Sequence, residues 1–227
     1  RQQIRQMYSA CTEAIHEEFL RWWDRGLIYR GTRVVNWCPR CASAISDIEV
    51  NTEDRQGFLY HIRYPFADGT GWLVVATTRP ETMLGDVAMA VNPSDERYAH
   101  LRGAMVQLPL TDRTIPVIFD DYARMDFGTG AVKVTPAHDM DDFDAGARHG
   151  LPQIKVIGDD GRMTGEAGDR YAGLDRDECR KKVLEDLDAQ GLLERAEPYV
   201  VKTPLCDRCK TVLEPLLSEQ WFVKQRE

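Results

Sequence analysis

The chain has 227 residues, of which 43% are hydrophobic and 29% charged, the composition of an ordinary globular protein with a sizeable core. No apolar run reaches the roughly 18 residues of a membrane helix, and 17 glycines with 11 prolines exclude collagen-like or low-complexity chains. The net charge of −8 argues against coating a nucleic acid by charge alone, but it leaves room for one RNA end in a local pocket.

The helical pattern begins at the first residues, and the last seven residues contain neither glycine nor proline as a stop signal. We therefore expect a piece of a larger protein. Apolar residues spaced three and four apart from Ile4 to Trp22 predict an amphipathic helix that ends at Gly26.

Strand patterns dominate the rest of the chain. Strict alternation over residues 58–64 predicts a half-buried strand, and Asp68-Gly69 turns the chain into a second strand at 72–77. Helices are predicted at 94–102, 139–149 and 175–190. Other short strands are predicted at 27–29, 33–37, 87–91, 104–108, 114–119, 131–135, 154–157 and 199–203. The pattern predicts a mixed, strand-rich α/β fold, a sheet or barrel with short helices packed outside it.

Two Cys-x-x-Cys pairs supply four thiolates, enough for a closed tetrahedral zinc site that would be structural. They are Cys38 with Cys41 and Cys206 with Cys209. A redox pair or unrelated buried cysteines are the alternatives. If the four meet, residues 42–205 form an insert whose ends are pinned together. We predict three segments, 1–55 with the first pair, 56–198 as the main domain and 199–227 with the second pair.

The stretch Thr77-Thr78-Arg79-Pro80-Glu81-Thr82 follows a predicted buried strand. Thr78 and Glu81 have the spacing of a capping box, and Pro80 is tolerated in a first helical turn. One interpretation is a well-capped helix start and nothing more. The other is a site for an anion or an ester oxygen, built from the hydroxyls and the Arg79 guanidinium.

A third stretch, residues 127–142, gathers several polar groups in one turn. Lys133 and Thr135 lie two apart on a predicted strand and share one face. Asp139 can cap the following helix, and Asp142 lies on the same side of its first turn. A bland surface turn remains the alternative, and a lone His138 is more often structural than catalytic.

These motifs carry a resemblance to a known family. Asn36-Trp37-Cys38-Pro39-Arg40-Cys41, Thr-Arg-Pro-Glu-Thr, Thr-Pro-Ala-His-Asp and residues 218–224 together resemble the valyl-tRNA synthetases of class I. Leucyl relatives carry Asp in place of Glu81, and isoleucyl relatives depart further. The resemblance implies a barrel-like editing domain, inserted through a zinc-knuckle stalk, that hydrolyses misacylated tRNA. The His-Ile-Gly-His and Lys-Met-Ser-Lys-Ser activation motifs are missing from this sequence, so we do not expect it to activate valine.

The resemblance also implies roles for individual residues. Asp142 would hold the substrate's α-ammonium, and Lys133, Thr135 and Asp139 would surround the threonine hydroxyl and the attacking water. The two aspartate roles could be exchanged. The remaining residues would line the pocket, with Thr77, Arg79 and Thr82 on the ester side, Phe127 against the terminal adenosine and His138 at the ester or ribose.

The implied substrate is the acceptor end of tRNA(Val) carrying threonine, with threonyl-adenylate as a further option. Threonine is nearly isosteric with valine, and the established discrimination of this family's apolar pocket is only about 10²-fold. The catalytic core of the parent synthetase is the implied protein partner, and we expect a cytoplasmic monomer with one structural Zn²⁺. The alternatives are a zinc-stabilised RNA- or protein-binding module without catalysis, or the editing domain of a leucyl or isoleucyl relative.

Overall fold

A computed structural model describes residues 2–225, with side chains from residue 11 onward. The chain divides into two units, one holding the residues up to Arg33 with those from Ser218 onward, the other Val34–Leu217. The helices are α1 (Gln2–Asp24), α2 (Met140–His149) and α3 (Arg176–Ala189). The strands are β1 (Ile28–Cys38), β2 (Ser43–Ala44), β3 (Val50–Pro65), β4 (Trp72–Thr77), β5 (Ala88–Val91), β6 (Met105–Gln107), β7 (Thr114–Phe119), β8 (Ala131–Val134), β9 (Leu193–Cys206) and β10 (Glu214–Val223).

Short 3₁₀ helices complete the list at Asp47–Glu49, Pro80–Gly85, Glu96–Leu101 and Gly165–Ala167. Within the described residues, no helix combines the length and the apolar character that crossing a membrane requires. In the first unit, Trp221 of β10 makes edge contacts with Phe19 and Trp23 of α1, at ring-centroid distances of 5.8 and 5.7 Å.

Strands β3 to β8 of the second unit surround one core. The hydrogen-bonded orders are β4-β3-β9 and β6-β7-β5-β8, and a third sheet has the order β10-β1-β2. An isolated bridge between Phe66 and Val106 joins the two main sheets on one side. On the other side the Thr129 hydroxyl donates to the Val74 carbonyl at 2.5 Å. The inward side chains are alternating apolar residues, including Ile62, Tyr64, Leu73, Val75, Met89, Val91, Val106, Ile115, Val117 and Ala131. The predicted strand-rich, barrel-like α/β fold is confirmed.

Helix α3 packs on this core as predicted for a helix outside the barrel. Cys179, Val183 and Leu187 recur every fourth residue and are completely buried, which makes one stripe of α3 apolar. The sequence places Cys11 and Cys179 within predicted helical segments, which favours core positions for both. Cys179 is a core residue, whereas Cys11 is exposed on α1, so the prediction for Cys11 is wrong.

A long antiparallel ribbon connects the barrel to the cysteine pairs. β3 and β9 pair continuously from Val50 opposite Cys206 to Ile62 opposite Leu193, with one irregularity at His61 and Ile62. The predicted boundaries at 55 and 198 fall inside this ribbon, and the division into three segments stays a prediction.

Three local predictions differ from the structure. Residues 154–157 form no regular strand, because the Val156 and Ile157 N–H groups donate to the ring of His138 at 2.9 and 3.2 Å. The capping box of Thr78 and Glu81 does not form, since the short helix Pro80–Gly85 has Arg79 at its N-cap and no side-chain cap. The predicted helix at 94–102 is a 3₁₀ helix, Glu96–Leu101.

Candidate functional site

The turn from β8 into α2 builds the centre of the candidate site. Lys133 and Thr135 share one face at the end of β8, and Pro136 ends the strand. Asp139 is the N-cap of α2, where its Oδ1 accepts the N–H groups of Asp141 at 2.9 Å and Asp142 at 3.2 Å. The predicted cap is confirmed, and it places Asp142 in the first turn of the helix, facing back toward the strand.

Asp142 is a buried carboxylate, only 5% exposed. Its Oδ2 accepts the Thr135 N–H at 2.7 Å, and its Oδ1 accepts the Tyr122 hydroxyl at 3.2 Å. Burial, with the negative charge of Asp139 as a second cause, raises the pKa of Asp142 to about 7. The carboxylate therefore changes between its neutral and charged forms near neutral pH.

A second buried carboxylate, Asp86, joins Lys133 and Thr135. The Thr135 hydroxyl donates to Asp86 Oδ1 at 2.5 Å, and Lys133 Nζ lies 3.3 Å from the same oxygen. Tyr64 donates its hydroxyl to Asp86 Oδ2 at 2.8 Å. Burial raises the pKa of Asp86, against the opposing effect of the Lys133 charge.

Sequence reasoning missed Asp86, Tyr64 and Tyr122. The available signal was a single carboxylate inside the otherwise apolar stretch 83–91, because such a residue is buried only when it has partners. Nothing local pointed to the two tyrosines, since both reach their carboxylates from distant segments.

The Arg79 guanidinium lies between two buried glutamates. It donates to Glu81 at 3.2 Å and to Glu214, while Arg180 forms two hydrogen bonds of 2.8 Å to Glu81. Arg176 donates to Glu214 at 2.6 Å. Burial alone would raise the pKa of Glu81, but the Arg180 hydrogen bonds and the Arg79 charge outweigh it and lower the pKa to about 2. Arg79 is thus engaged in a structural ion-pair network, which the sequence did not reveal.

The hydroxyls of Thr77 and Thr82 are bonded to the backbone of Arg79. Thr77 Oγ1 accepts the Arg79 N–H at 3.0 Å, and Thr82 Oγ1 donates to the Arg79 carbonyl at 3.0 Å. Both threonines are buried, at 8% and 2% exposed. These two hydrogen bonds fix the backbone of the segment that carries Arg79. The predicted place of both threonines on the ester side of a pocket stays a prediction.

His138 is a buried ring and Phe127 an exposed one. His138 is 2% exposed, and because its Nε2 accepts two backbone N–H groups, the ring is committed within the protein. Burial, with the nearby Arg79 charge, lowers its pKa to about 3, so the ring is neutral. This geometry favours a structural role over the predicted contact with the ester or ribose. Phe127 is 42% exposed on the loop before β8, and its predicted contact with the terminal adenosine stays a prediction.

The four cysteines of the two pairs meet at the end of the ribbon. The Sγ atoms of Cys38, Cys41, Cys206 and Cys209 all lie within 4.8 Å of one another. A tetrahedral zinc with Zn–S bonds of about 2.3 Å needs sulfurs about 3.8 Å apart. Cys38 and Cys206 are completely buried, and the Cys41 N–H donates to Cys38 Sγ at 3.4 Å. The donor set therefore fits a closed structural metal site.

Known proteins match this chain along nearly its whole length. A family model described as tRNA synthetases class I (I, L, M and V) matches residues 2–227. The valine–tRNA ligase of Desulfotalea psychrophila is 57% identical over 96% of this chain and 24% of its own length. That of Carboxydothermus hydrogenoformans is 57% identical over 95% of this chain and 24% of its own length. The chain thus spans about a quarter of the length of these curated relatives.

One solved structure is similar at lower identity. It is the ternary complex of the Agrobacterium radiobacter K84 agnB2 LeuRS with tRNA and LeuAMS, 18% identical, with a TM-score of 0.49. The match covers 82% of this chain and 31% of that one.

Proposed function

The chain belongs to the tRNA synthetases class I (I, L, M and V), and on that premise we propose that it proofreads for a valine–tRNA ligase by hydrolysing threonine esterified to tRNA(Val). The 57% identity to valine–tRNA ligases supports the choice of amino acid. The missing activation motifs support a role other than forming the ester. The partners we propose are the tRNA acceptor end and the synthetase's catalytic core, and we expect a monomer in the cytoplasm.

One observation carries the proposal. Five carboxylates are buried among the described side chains, and four of them have a cationic partner within 4.0 Å. Only Asp142 of this described set forms no ion pair. The four paired carboxylates are Glu81 with Arg79 and Arg180, Glu214 with Arg79 and Arg176, Asp95 with Arg97, and Asp86 with Lys133.

A buried carboxylate without a cation is costly unless a ligand supplies the charge. The α-ammonium of an aminoacyl ester is such a cation, and its arrival would favour the ionised form of Asp142. The positive end of α2 and the Thr135 N–H already favour that form. Asp142 is therefore the proposed ammonium site, and it fixes the ester relative to Lys133 and Thr135.

The neighbouring cluster suits the threonine side chain. Lys133, Thr135 and Asp86 offer an ammonium, a hydroxyl and a buried carboxylate that already exchange hydrogen bonds. A threonine hydroxyl can join this network, whereas the valine methyl group in its place makes no hydrogen bond and forgoes the roughly 1.5–3 kcal/mol of a bond to a charged group. This difference is the proposed basis for sparing correctly charged tRNA.

Hydrolysis would proceed by attack of an oriented water on the ester carbonyl carbon. The bond from that carbon to the ribose oxygen breaks, and the ribose oxygen takes up a proton that the attacking water gives up, so threonine and the free tRNA end are the products. Asp139 is exposed and uses Oδ1 for the helix cap, which leaves Oδ2 to orient the water. The Lys133 ammonium can stabilise the negative charge that develops on the carbonyl oxygen.

The four cysteines would hold one Zn²⁺ at the far end of the ribbon from the barrel. Zinc supplies a structural cross-link there, with no open coordination position. The reaction is proposed to depend on the side chains around Asp142 alone.

The decisive experiment is a deacylation assay with threonyl-tRNA(Val) and valyl-tRNA(Val). We expect the threonyl ester to be hydrolysed more than about tenfold faster than the valyl ester. Asp142→Ala should slow threonyl hydrolysis by about tenfold to a few hundredfold, since a charge-assisted bond contributes about 1.5–3 kcal/mol.

Asp144→Ala is the matched control, because it removes a carboxylate from the exposed side of the same helix. It should retain the parent rate. Binding of the tRNA end without any hydrolysis would instead favour the non-catalytic binding module. Parent-like hydrolysis by a folded Asp142→Ala variant would refute the assignment of the site.

A further inference from the structure

The segment 120–122, between β7 and β8, is tied to both ends of helix α2. The Asp120 carboxylate accepts hydrogen bonds from Arg148, at 3.0 and 2.9 Å, and from His149 at 2.9 Å, in the last turn of the helix. At the first turn, the Tyr122 hydroxyl reaches Asp142 at 3.2 Å. The Tyr122 N–H also donates to Asp120 Oδ1 at 3.1 Å, which couples the two anchor points.

The Tyr122 ring itself is held by packing. It lies against a small buried cluster formed by Ala88, Ala90 and Val134 of the barrel wall and by Ala123, the residue after the segment. Because the ring is fixed by packing and its hydroxyl donates to Asp142 Oδ1, both oxygens of the Asp142 carboxylate accept a hydrogen bond. The Thr135 N–H holds the other oxygen at 2.7 Å.

We propose that Tyr122 is a positioning residue for the ester-hydrolysing site: its hydroxyl fixes the Asp142 carboxylate in the orientation that receives the ammonium of the substrate. This inference rests on the proposed function for its consequence in catalysis. Its structural part, the bond between Tyr122 and Asp142, is testable without any substrate.

Several charges face Asp142 from the surrounding elements. Asp139 and Asp86 oppose its ionisation, while Lys133 and the Thr135 N–H favour it. The Tyr122 hydroxyl is a donor to the ionised form, so we expect its removal to raise the pKa of Asp142 further. Tyr122 in turn faces Asp142, Asp139 and Asp120, all of which keep the phenol protonated.

The test is the Tyr122→Phe variant, which keeps the packed ring and removes only the hydroxyl. We expect the pKa of Asp142 to rise by about 0.5–1 unit, so that kcat/KM for the threonyl ester falls about 3- to 10-fold at about pH 6. The ratio of parent to variant should shrink by that factor between about pH 6 and about pH 9, where Asp142 is ionised in both proteins and only the lost orientation still slows the variant. The amino group of the substrate titrates identically with parent and variant, so the change of the ratio with pH reports the ionisation of Asp142 alone.

Tyr171→Phe is the matched control. Tyr171 also donates its hydroxyl to a carboxylate, that of Asp186 at 2.6 Å, but at a place outside the candidate site. Its loss should leave the pH profile unchanged. A purely structural role for Tyr122 would lower the rate of its variant by the same factor at every pH, and that outcome would overturn the proposal.

A substrate-free readout separates this inference from the proposed function. Carbon-13 NMR of the side-chain carboxyl group of Asp142 gives its pKa directly in parent, Tyr122→Phe and Tyr171→Phe. If the parent fails to hydrolyse threonyl-tRNA(Val), the proposed function fails, and the NMR shift still decides whether Tyr122 acts on Asp142. An Asp142 pKa unchanged by Tyr122→Phe would refute the positioning role.

Discussion

The carboxylate of Asp142 is buried, and among the described residues no cation pairs with it, so its ionisation in the folded protein costs free energy. Burial raises the folded pKa to about 7, above the ordinary value of about 3.9. Between these values the folded protein holds a proton that the unfolded chain has released. This group therefore makes stability fall as pH rises from about 4 to about 7.

Replacing Asp142 by Asn should remove that pH dependence. The amide oxygen can still accept the Thr135 N–H, and no charge is buried at any pH. We expect Asp142→Asn to be more stable than the parent at pH 8, by roughly 1–3 kcal/mol, with the two converging near pH 4. Urea unfolding at several pH values measures the difference. If Asp142→Asn is no more stable than the parent at pH 8, that result contradicts the raised pKa of Asp142. We also expect Asp142→Asn to lose hydrolysis, so that the variant gains stability and loses activity.

Asp139 serves the helix as well as the proposed reaction. Its Oδ1 caps two N–H groups of α2, so Asp139→Ala should lower the free energy of unfolding by about 1 kcal/mol. Asp139→Asn keeps a capping oxygen and should cost only a few tenths of that. Thermal unfolding of both variants separates the cap from the charge. Equal destabilisation by Ala and Asn would show that the charge, rather than the cap, stabilises the helix.

At the scale of elements, the close approach of α2 to the end of β8 brings Asp142 to Thr135. Gly146 permits it, since a Cβ atom there would lie 2.8 Å from Cγ of Pro136. The proline ring cannot move aside as a flexible side chain would. A glycine at position 146 is therefore required for this close approach, although glycine is a poor helix former.

Gly146→Ala should consequently push α2 away from the strand. Helix propensity would gain about 1 kcal/mol, but overpacking typically costs about 1–3 kcal/mol, so we expect a net loss of stability. Threonyl-tRNA hydrolysis should fall as well, because the bond from Asp142 to the Thr135 N–H lengthens. Gly165→Ala is the control, since nothing lies within 4 Å of its added Cβ. Unchanged activity in Gly146→Ala would indicate that the helix tolerates the shift.

At the scale of the molecule, the cysteine cluster and the ribbon form one continuous arrangement in the unit Val34–Leu217. The four sulfurs meet where Val50 pairs with Cys206, at the end of the β3–β9 ribbon away from the barrel. A metal there would close a loop through the whole barrel. The barrel has its own apolar core, so its stability should not depend on the metal.

We expect the purified protein to bind close to one zinc per chain. Removing the metal should speed hydrogen exchange in the cysteine end of the ribbon and leave the barrel strands protected. Cys206→Ser should lose the metal, whereas Cys11→Ser, which alters an exposed cysteine outside the cluster, should retain it. Elemental analysis and exchange mass spectrometry measure both effects. A protein without metal and with four freely reacting thiols would refute the site.

Features that depend on neighbours in the chain could be read from the sequence. Alternating apolar residues predicted most barrel strands, because a strand with one face in the core must alternate. The Asp139 cap followed from its place before the helix, and the four-cysteine cluster followed from the paired spacing of its members. These patterns are local, so no knowledge of the fold was needed to find them.

Partners brought together from distant positions were decided by the tertiary structure alone. Asp86 reaches Thr135 across 49 positions, and Arg79 reaches Glu214 across 135. Glu81 has the spacing of a capping-box residue, yet its carboxylate forms ion pairs with Arg79 and Arg180. Hydrogen bonds between charged groups are stronger than those from a neutral N–H group, and burial increases that difference. Sequence spacing fixes which groups are available, whereas burial and charge in the folded barrel decide which of them pair and which, like Asp142 among the described residues, form no ion pair.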